Sequence, residues 1–552
     1  DLVNVQKNAQ LKIVKTSEDG VIEGIHFRVT RLEDSYSAEY VTNAAGEILT
    51  ETLPIYADKD GANKYQYKVE ELDTEETFGY QLPDSQTVEL SEGEIASVCF
   101  HNVPIEIGTK ATVEGEKEVD PLDKVTLTDT VSYTGLVPGK EYRATGVLMD
   151  KETGEKLLVD GKEITAETVF VPETKNGSVD VTFIFDATGL HGKEIVVFED
   201  LYRENVLLAT HADINDEGQT IKVKNPEIGT TASFEGEKEI DPLDKVTLTD
   251  TVSYKDLTPG KEYRVTGVLM DKSNGKELLI NGEKVTAEAT FVATEASGSV
   301  DVTFIFDATG LHGKGIVVFE DLYRENALLA THADINDEGQ TVKIKNPEIG
   351  TKATADSKKE ITADKITITD VVSYKDLTPG KEYKLTGVLM NKATNDKLLI
   401  DGKEITAEAT FTPKATTGEV EMTFTFDARE LTVETEVVAF ETLYRDGIEI
   451  AVHADIEDEG QTVKILPLHG SIMTTKVNAD DPTDKISGAT FGVYSDADGD
   501  GIFNAKTDKL VGTLQEGDTG VYTLDFLPYG KFFLHEDKAP EGFVQDNIYY
   551  PF

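Results

Sequence analysis

PIEIGTKATVEGEKEVDPLDKVTLTDTVSY, residues 104–133, decides the fold because it occurs three times. It returns as PEIGTTASFEGEKEIDPLDKVTLTDTVSY at 226–254 and, more diverged, as PEIGTKATADSKKEITADKITITDVVSY at 347–374. Gly108, Gly229 and Gly350 are separated by 121 positions, as are His211, His332 and His453, so the phase is kept across the whole unit. A unit of this length holds its own core, unlike the short solenoid repeats that need neighbours to fold. Within it KVTLTDTVSY, EYRATGVLMD, SVDVTFIFDA, EIVVFEDLY and QTIKVKN alternate apolar and polar residues and are rich in β-branched and aromatic types. VPGK, VDGK and TKNG supply the turns between them. No segment keeps a capped helical period. The reading is all-β: tandem domains of about seven strands, each an Ig-like β-sandwich or a partly open barrel, strung into an elongated rod at roughly 30–40 Å per domain.

The flanks differ from the repeat but share a layout with each other. LKIVKTSEDGVIEGIHFRV opens the first and SIMTTKVNADDPTDKISGATFGVY the last, and each later carries a similar strand, YQYKVEE or KFFLHED. The expected domains are therefore 1–103, three repeats at 104–225, 226–346 and 347–465, and 466–552 after an LPLHG linker.

Composition narrows the function classes. With 104 acidic against 53 basic residues the formal net charge is -51, which repels nucleic acid and anionic lipid. Hydrophobic content of 39% is too high for a disordered acidic tail. A single cysteine, Cys99, rules out an intrachain disulfide, and its place in the strand SVCFHN suggests a packed core thiol. No apolar run is long enough to span a membrane. No leader precedes Asp1 and no sorting tail follows Phe552, so if the protein is secreted the chain reads as a trimmed central piece, and the compartment has to be argued from the domains.

Each repeat closes on the same polar set. The first has Glu199 in VVFED, then His211, Asp216 and Gln219 in HADINDEGQT. The second has Glu320, His332, Asp337 and Gln340, and the third Glu441, His453, Asp458 and Gln461. A glutamate inside an apolar strand is costly to bury unless it is protonated or paired. Three readings stay open on the residues alone. One is a solvated polar turn. Another is a hydrolase site, against which stand its triplication along a rod and the lack of a nucleophile elbow. The third is a self-modifying site, where a hydroxyl attacks the glutamine side chain and displaces ammonia.

Together VVFE, HxDxxDxxQT and the GTxxT at each domain start resemble the VaFE-type, Thr–Gln ester-bond domains of Gram-positive surface proteins, over all three repeats. The resemblance implies an ester between the second hydroxyl residue of GTxxT and the motif glutamine. By position these are Thr112 with Gln219, Ser233 with Gln340, and Thr354 with Gln461. It also implies that Glu199 and Asp216 share a proton that polarises the Gln amide, with His211 moving protons. Glu320, Asp337 and His332, and then Glu441, Asp458 and His453, take the same roles. Ser233 lacks the β-methyl that helps fix a threonine rotamer, so its ester is the least favoured of the three.

The flanking domains resemble the Cna-B or SpaA-like prealbumin modules of pilins and adhesins, which implies a Lys–Asn isopeptide bond promoted by a buried acid. The matching positions in the first domain are Lys15, Glu70 and Asn102; in the last, Lys476 and Glu536 match with no asparagine strand before Phe552. In DADGDGIFNAKTD, Asp496, Asp498, Asp500 and Asn504 follow an EF-hand-like spacing, with Thr507 at the twelfth place, so calcium or a solvated acidic turn both fit. No other cofactor is implied. The expected function is the stalk of a cell-wall-anchored adhesin or pilus protein, extracellular and stiffened by autocatalytic crosslinks, attached to peptidoglycan through a sorting signal outside this chain. The alternative is an adhesin whose terminal domain grips host matrix protein or glycan, and a site with turnover on outside substrate is the third class.

Overall fold

The computed structural model describes residues 6–552. Strands dominate throughout, and the helical structure among the described residues is one 3₁₀ turn, Glu75–Thr77.

In the first repeat, the alternation in Val125–Tyr133 puts Val125, Leu127, Val131 and Tyr133 inward. This strand is the centre of a three-stranded antiparallel sheet, flanked by Ile107–Val113 and Gly177–Phe185. The facing sheet runs Glu118–Val119, Thr220–Val223, Glu194–Arg203, Tyr142–Asp150 and Thr165–Phe170, with Val206–His211 also on Glu194–Arg203. The chain therefore changes sheet in the tight turn after Val113, where Val113 and Glu116 exchange backbone hydrogen bonds. Glu118–Val119 then pairs in parallel with Thr220–Val223, the strand that directly follows Gln219. Opposite Glu199 lies Gly146, and a Cβ there would come within 2.5 Å of the Phe183 ring, so glycine is what lets the sheets approach at this point. Repeats two and three reproduce the arrangement. Besides the long strands expected from alternation, each repeat contains several two-residue pairings, such as Leu158–Val159 with Lys162–Glu163, that are too short to leave a period in the sequence.

The first domain has two sheets, one holding Asn8–Ser17 in parallel with Ile95–Pro104 and the other built on His26–Arg31 and Gln66–Glu71. Cys99 is exposed rather than packed. Val98, Phe100 and Asn102 take the inward phase of its strand, which turns Cys99 outward.

Successive units meet through one recurring arginine. Arg203 of the first repeat forms two hydrogen bonds, 2.6 and 2.7 Å, with Asp73 of the first domain and stacks 3.8 Å over Phe78. Arg324 of the second repeat binds Asp120 of the first, a fully buried carboxylate that also accepts Tyr263 Oη at 2.6 Å and Thr258 Oγ1 at 2.9 Å. Arg445, Tyr383 and Thr378 of the third repeat hold Asp241 of the second in the same way. At the corresponding register the third repeat has Thr362, so the series of joints stops there.

Removing one partner of a buried, hydrogen-bonded ion pair costs about 3–5 kcal/mol. Asp120→Ala is therefore expected to add an earlier transition to the calorimetric trace. Asp123→Ala, at an exposed position three residues on, should leave the trace unchanged. Identical traces for the two variants would show that the joint carries no load.

Candidate functional site: a hydroxyl, an amide and two carboxyls between the sheets

The strand Ile107–Val113 turns Ile107, Thr109, Ala111 and Val113 toward the facing sheet, and Gly108, Lys110 and Thr112 away from it. The phase decides which hydroxyl meets the glutamine. In the second repeat Gln340 Nε2 contacts Thr230 Oγ1, and in the third Gln461 Nε2 contacts Thr351 Oγ1. Thr109 holds the same place in the first repeat, with its buried hydroxyl unpartnered. The hydroxyls expected from the sequence, Thr112, Ser233 and Thr354, lie three residues on and so on the other face of the strand. Ser233 Oγ accepts the Gly236 N–H at 3.3 Å instead. The serine of the middle copy thus has no bearing on its site, since all three copies present a threonine.

The glutamates lie where the sequence suggested, buried between the sheets: Glu199 is 1% exposed and Gln219 0%. Glu320 Oε2 is 2.5 Å from Gln340 Nε2 and 3.4 Å from Thr230 Oγ1, and Glu441 Oε2 is 2.5 Å from Gln461 Nε2. In the first repeat the Gln219 amide donates instead to Asp129 Oδ1 at 3.3 Å.

The second carboxyl is not the one expected. Asp216 accepts from His211 Nε2 at 2.8 Å and from the Gly218 N–H at 2.6 Å, so it secures the loop before Gln219. Asp337 with His332, and Asp458 with His453, do the same at 2.8 and 2.9 Å. The His211 hydrogen bond holds the Asp216 carboxyl below its usual range, as a charged loop anchor requires. The group that faces the glutamate is Asp129, with Asp250 and Asp370 in the other copies, all fully buried. Burial pushes Glu199 well above the carboxylate range, and the adjoining Asp129 carboxyl raises it further. Burial raises Asp129 as well. Glu320 with Asp250 and Glu441 with Asp370 behave alike. Two carboxyls this close and this dry keep a proton between them at neutral pH. Asp129 had a signal in the sequence: KVTLTDTVSY places an aspartate on the apolar phase, and the other two copies repeat it.

Phase also corrects the acid of the first domain. Gln66–Glu71 turns Tyr67, Val69 and Glu71 inward, while Glu70 lies outward and pairs with Lys68 at 2.6 Å. Glu71 Oε2 meets Lys15 Nζ at 3.0 Å and its Oε1 accepts from Asn102 Nδ2 at 2.6 Å, so the acid bridges the amine and the amide. Lys15 is 1% exposed, and burial lowers its pKa against the opposing pull of Glu71. In the last domain Lys476 Nζ lies 2.7 Å from Glu536, whose Oε2 accepts the Asp546 N–H; among the described residues no asparagine hydrogen-bonds to this pair.

The acidic loop of the last domain brings carboxylate oxygens of Asp496, Asp498 and Asp500 within 4.8 Å of one another. Asp496 Oδ1 is buried without a donor, which suits a hard cation. Asn504 Oδ1 accepts the Lys506 N–H at 3.1 Å. Asp508 closes the loop with both oxygens, accepting the Ala497 and Asn504 N–H groups.

Comparison with known proteins agrees with the repeat architecture. The signature of the T-Q ester bond containing domain matches residues 105–223, 226–344 and 347–465, and that of the SpaA prealbumin-like fold domain matches 470–552. No curated protein sequence matches the chain. Similar solved structures include a bacterial adhesin from Mobiluncus mulieris containing intramolecular disulfide, isopeptide and ester bond cross-links (13% identity, 55% of this chain and 93% of that one, TM-score 0.21). Others are BcpA, the major pilin subunit of Bacillus cereus (12%, 99% and 92%, 0.16), and a mutant form of the shaft pilin SpaA from Lactobacillus rhamnosus GG (12%, 40% and 95%, 0.15). With the repeated domain matched over more than half its length, the chain belongs to the T-Q ester bond containing domain family.

Proposed function

We propose that this chain is the structural stalk of an extracellular surface adhesin or pilus protein, and that each repeat closes itself with one ester: Thr109 to Gln219, Thr230 to Gln340 and Thr351 to Gln461. The observation that carries the reading is the position of Glu320 Oε2, in reach of both the Thr230 hydroxyl and the Gln340 amide nitrogen. One oxygen there serves both ends of an acyl transfer. Thr230 Oγ1 attacks Gln340 Cδ, the Oγ1–Cδ bond forms, and the Cδ–Nε2 bond breaks. The hydroxyl proton passes through Glu320 to the departing nitrogen, which leaves as ammonia. Asp250 holds the proton that the pair already shares, which leaves Glu320 free to take the hydroxyl proton, and a buried, water-poor site holds the reactants in attack geometry. Lys15 attacks the Asn102 amide in the same sense, with Glu71 shuttling the proton. Each site acts once, on its own chain, and needs no cofactor.

The family membership and the tandem architecture support a stalk at the cell surface, anchored to peptidoglycan by a segment outside this sequence. No helix among the described residues is long and apolar enough to cross a membrane. The acidic loop of the last domain adds a second element, a calcium ion held by Asp496, Asp498 and Asp500, for which the donor-free Asp496 Oδ1 speaks.

Intact mass tests the crosslinks: four ammonia losses of about 17 Da each are expected, three of them esters that hydroxylamine opens to hydroxamates and one a resistant isopeptide. Thr230→Val should restore about 17 Da and Ser233→Ala nothing; Glu71→Gln should block the isopeptide and Glu70→Gln leave it. A full-mass chain contradicts the reading.

In an uncrosslinked background (Thr109→Val, Thr230→Val, Thr351→Val) the pH dependence has a defined sign. The buried acids bind protons more tightly folded than unfolded, so their contribution to stability is fullest below about pH 4 and is lost as pH rises above it. Adding Glu199→Gln, Glu320→Gln and Glu441→Gln should flatten the Tm–pH curve, and an unchanged slope would assign it elsewhere. Calcium is expected to raise the melting temperature of the last domain, an effect that Asp496→Asn removes.

A further inference from the structure

One lysine in each repeat makes two contacts that the ester chemistry itself does not use. Lys117 Nζ donates to the carbonyls of Ala111 and Gly218, at 2.7 and 2.5 Å. Lys238 donates to Ala232 and Gly339, both at 2.6 Å, and Lys359 to Ala353 and Gly460, at 2.8 and 2.5 Å. Ala111 belongs to one sheet, and Gly218 to the turn that leads into the facing one. Ala111 shares the inward face of its strand with Thr109, two residues away, and Gly218 directly precedes Gln219. The lysine stands at the point where the chain crosses from one sheet to the other, between Val113 and Glu118.

The nucleophile strand and the glutamine strand are not ladder partners, so no row of backbone hydrogen bonds sets their register. A single bond, from the Ala111 N–H to the Gly218 carbonyl at 3.1 Å, joins them beside the site, and the second and third copies repeat it through Ala232 and Ala353. We propose that Lys117, Lys238 and Lys359 are positioning residues for ester formation, each pinning the backbone before the glutamine to the backbone beyond the threonine. The inference rests on the ester reading above and deepens it. The lysine touches neither the hydroxyl nor the amide. It fixes their separation by holding two carbonyls that face the same gap, where the amine is partly desolvated and the pKa of all three is lowered. A misplacement on the order of 1 Å costs a near-attack pair about 100-fold in rate.

The test follows ester formation in the second repeat of the full chain, by intact mass at intervals after synthesis, with folding checked by protease resistance. Lys238→Met should slow loss of the second repeat's ammonia about 100-fold while the other two esters form normally. Lys238→Arg, which retains the cation and several donors, should restore most of the rate. A Met variant that crosslinks at the unsubstituted rate overturns the proposal, and so does a slow Met variant that arginine fails to rescue, since lost packing would then explain it. Should the Met variant fail to fold, Lys238→Gln carries the test: a reduced rate supports the pin and an unchanged one overturns it. An unsubstituted chain that never loses ammonia refutes the ester reading, an outcome distinct from either result for the lysine.

Discussion

Two acids and a glutamine share one dry space between the sheets of every repeat, and the remainder of the structure is arranged around that burial. In the second copy both oxygens of Asp250, Glu320 Oε1 and Gln340 Oε1 are buried with no partner beyond the proton that the two acids share. Each unsatisfied polar atom of this kind costs about 1–3 kcal/mol, a burden that a domain with roughly 5–15 kcal/mol of net stability does not carry idly. Keeping the carboxyl pair partly protonated lowers that cost. The same dryness leaves the threonine hydroxyl no water to compete with at the amide. The site is thus costly as a packing arrangement and well suited to a single acyl transfer.

The product of that transfer changes what tension on the chain can do. The proposed ester would bridge residues 110 apart, so that force entering through the first strand of a repeat would leave through the last without loading the interior. A crosslink closing a loop of this length also restricts the unfolded chain, worth about 5 kcal/mol on loop entropy alone. With the repeats so locked, compliance would move to the joints, where Arg203, Arg324 and Arg445 hold Asp73, Asp120 and Asp241. Two of those three carboxylates lie just past the short strand that pairs beside the glutamine, so crosslink and joint share one edge of the repeat.

The sandwich class and the tandem order were legible because alternation in segments such as KVTLTDTVSY is a direct record of which face is buried. The motif glutamates and glutamines were legible for a related reason: a charged or amide group inside an apolar strand stands out. Where sequence and structure part, motif spacing points one way and strand phase the other. Thr112 stands an odd number of residues from Thr109, Glu70 is one residue from Glu71, and Cys99 sits between Val98 and Phe100; in each case one step along the strand reverses the face. Asp129 obeys the alternation rule, but its partner Glu199 lies 70 positions away on another sheet, so no spacing links the two. Lys117 leaves no such trace, since a lysine in a charged turn looks like solvent-facing decoration until the fold brings two carbonyls to it.

The most direct measurement is tandem mass spectrometry of a protease digest of the unsubstituted chain. The account predicts a branched peptide in which the segment holding Thr230 is joined to the one holding Gln340, lighter than the sum of the two by one ammonia, with fragment ions placing the bond on Thr230. Recovery of the two segments as separate peptides with an intact Gln340 amide, or a bond placed on Ser233, would contradict it.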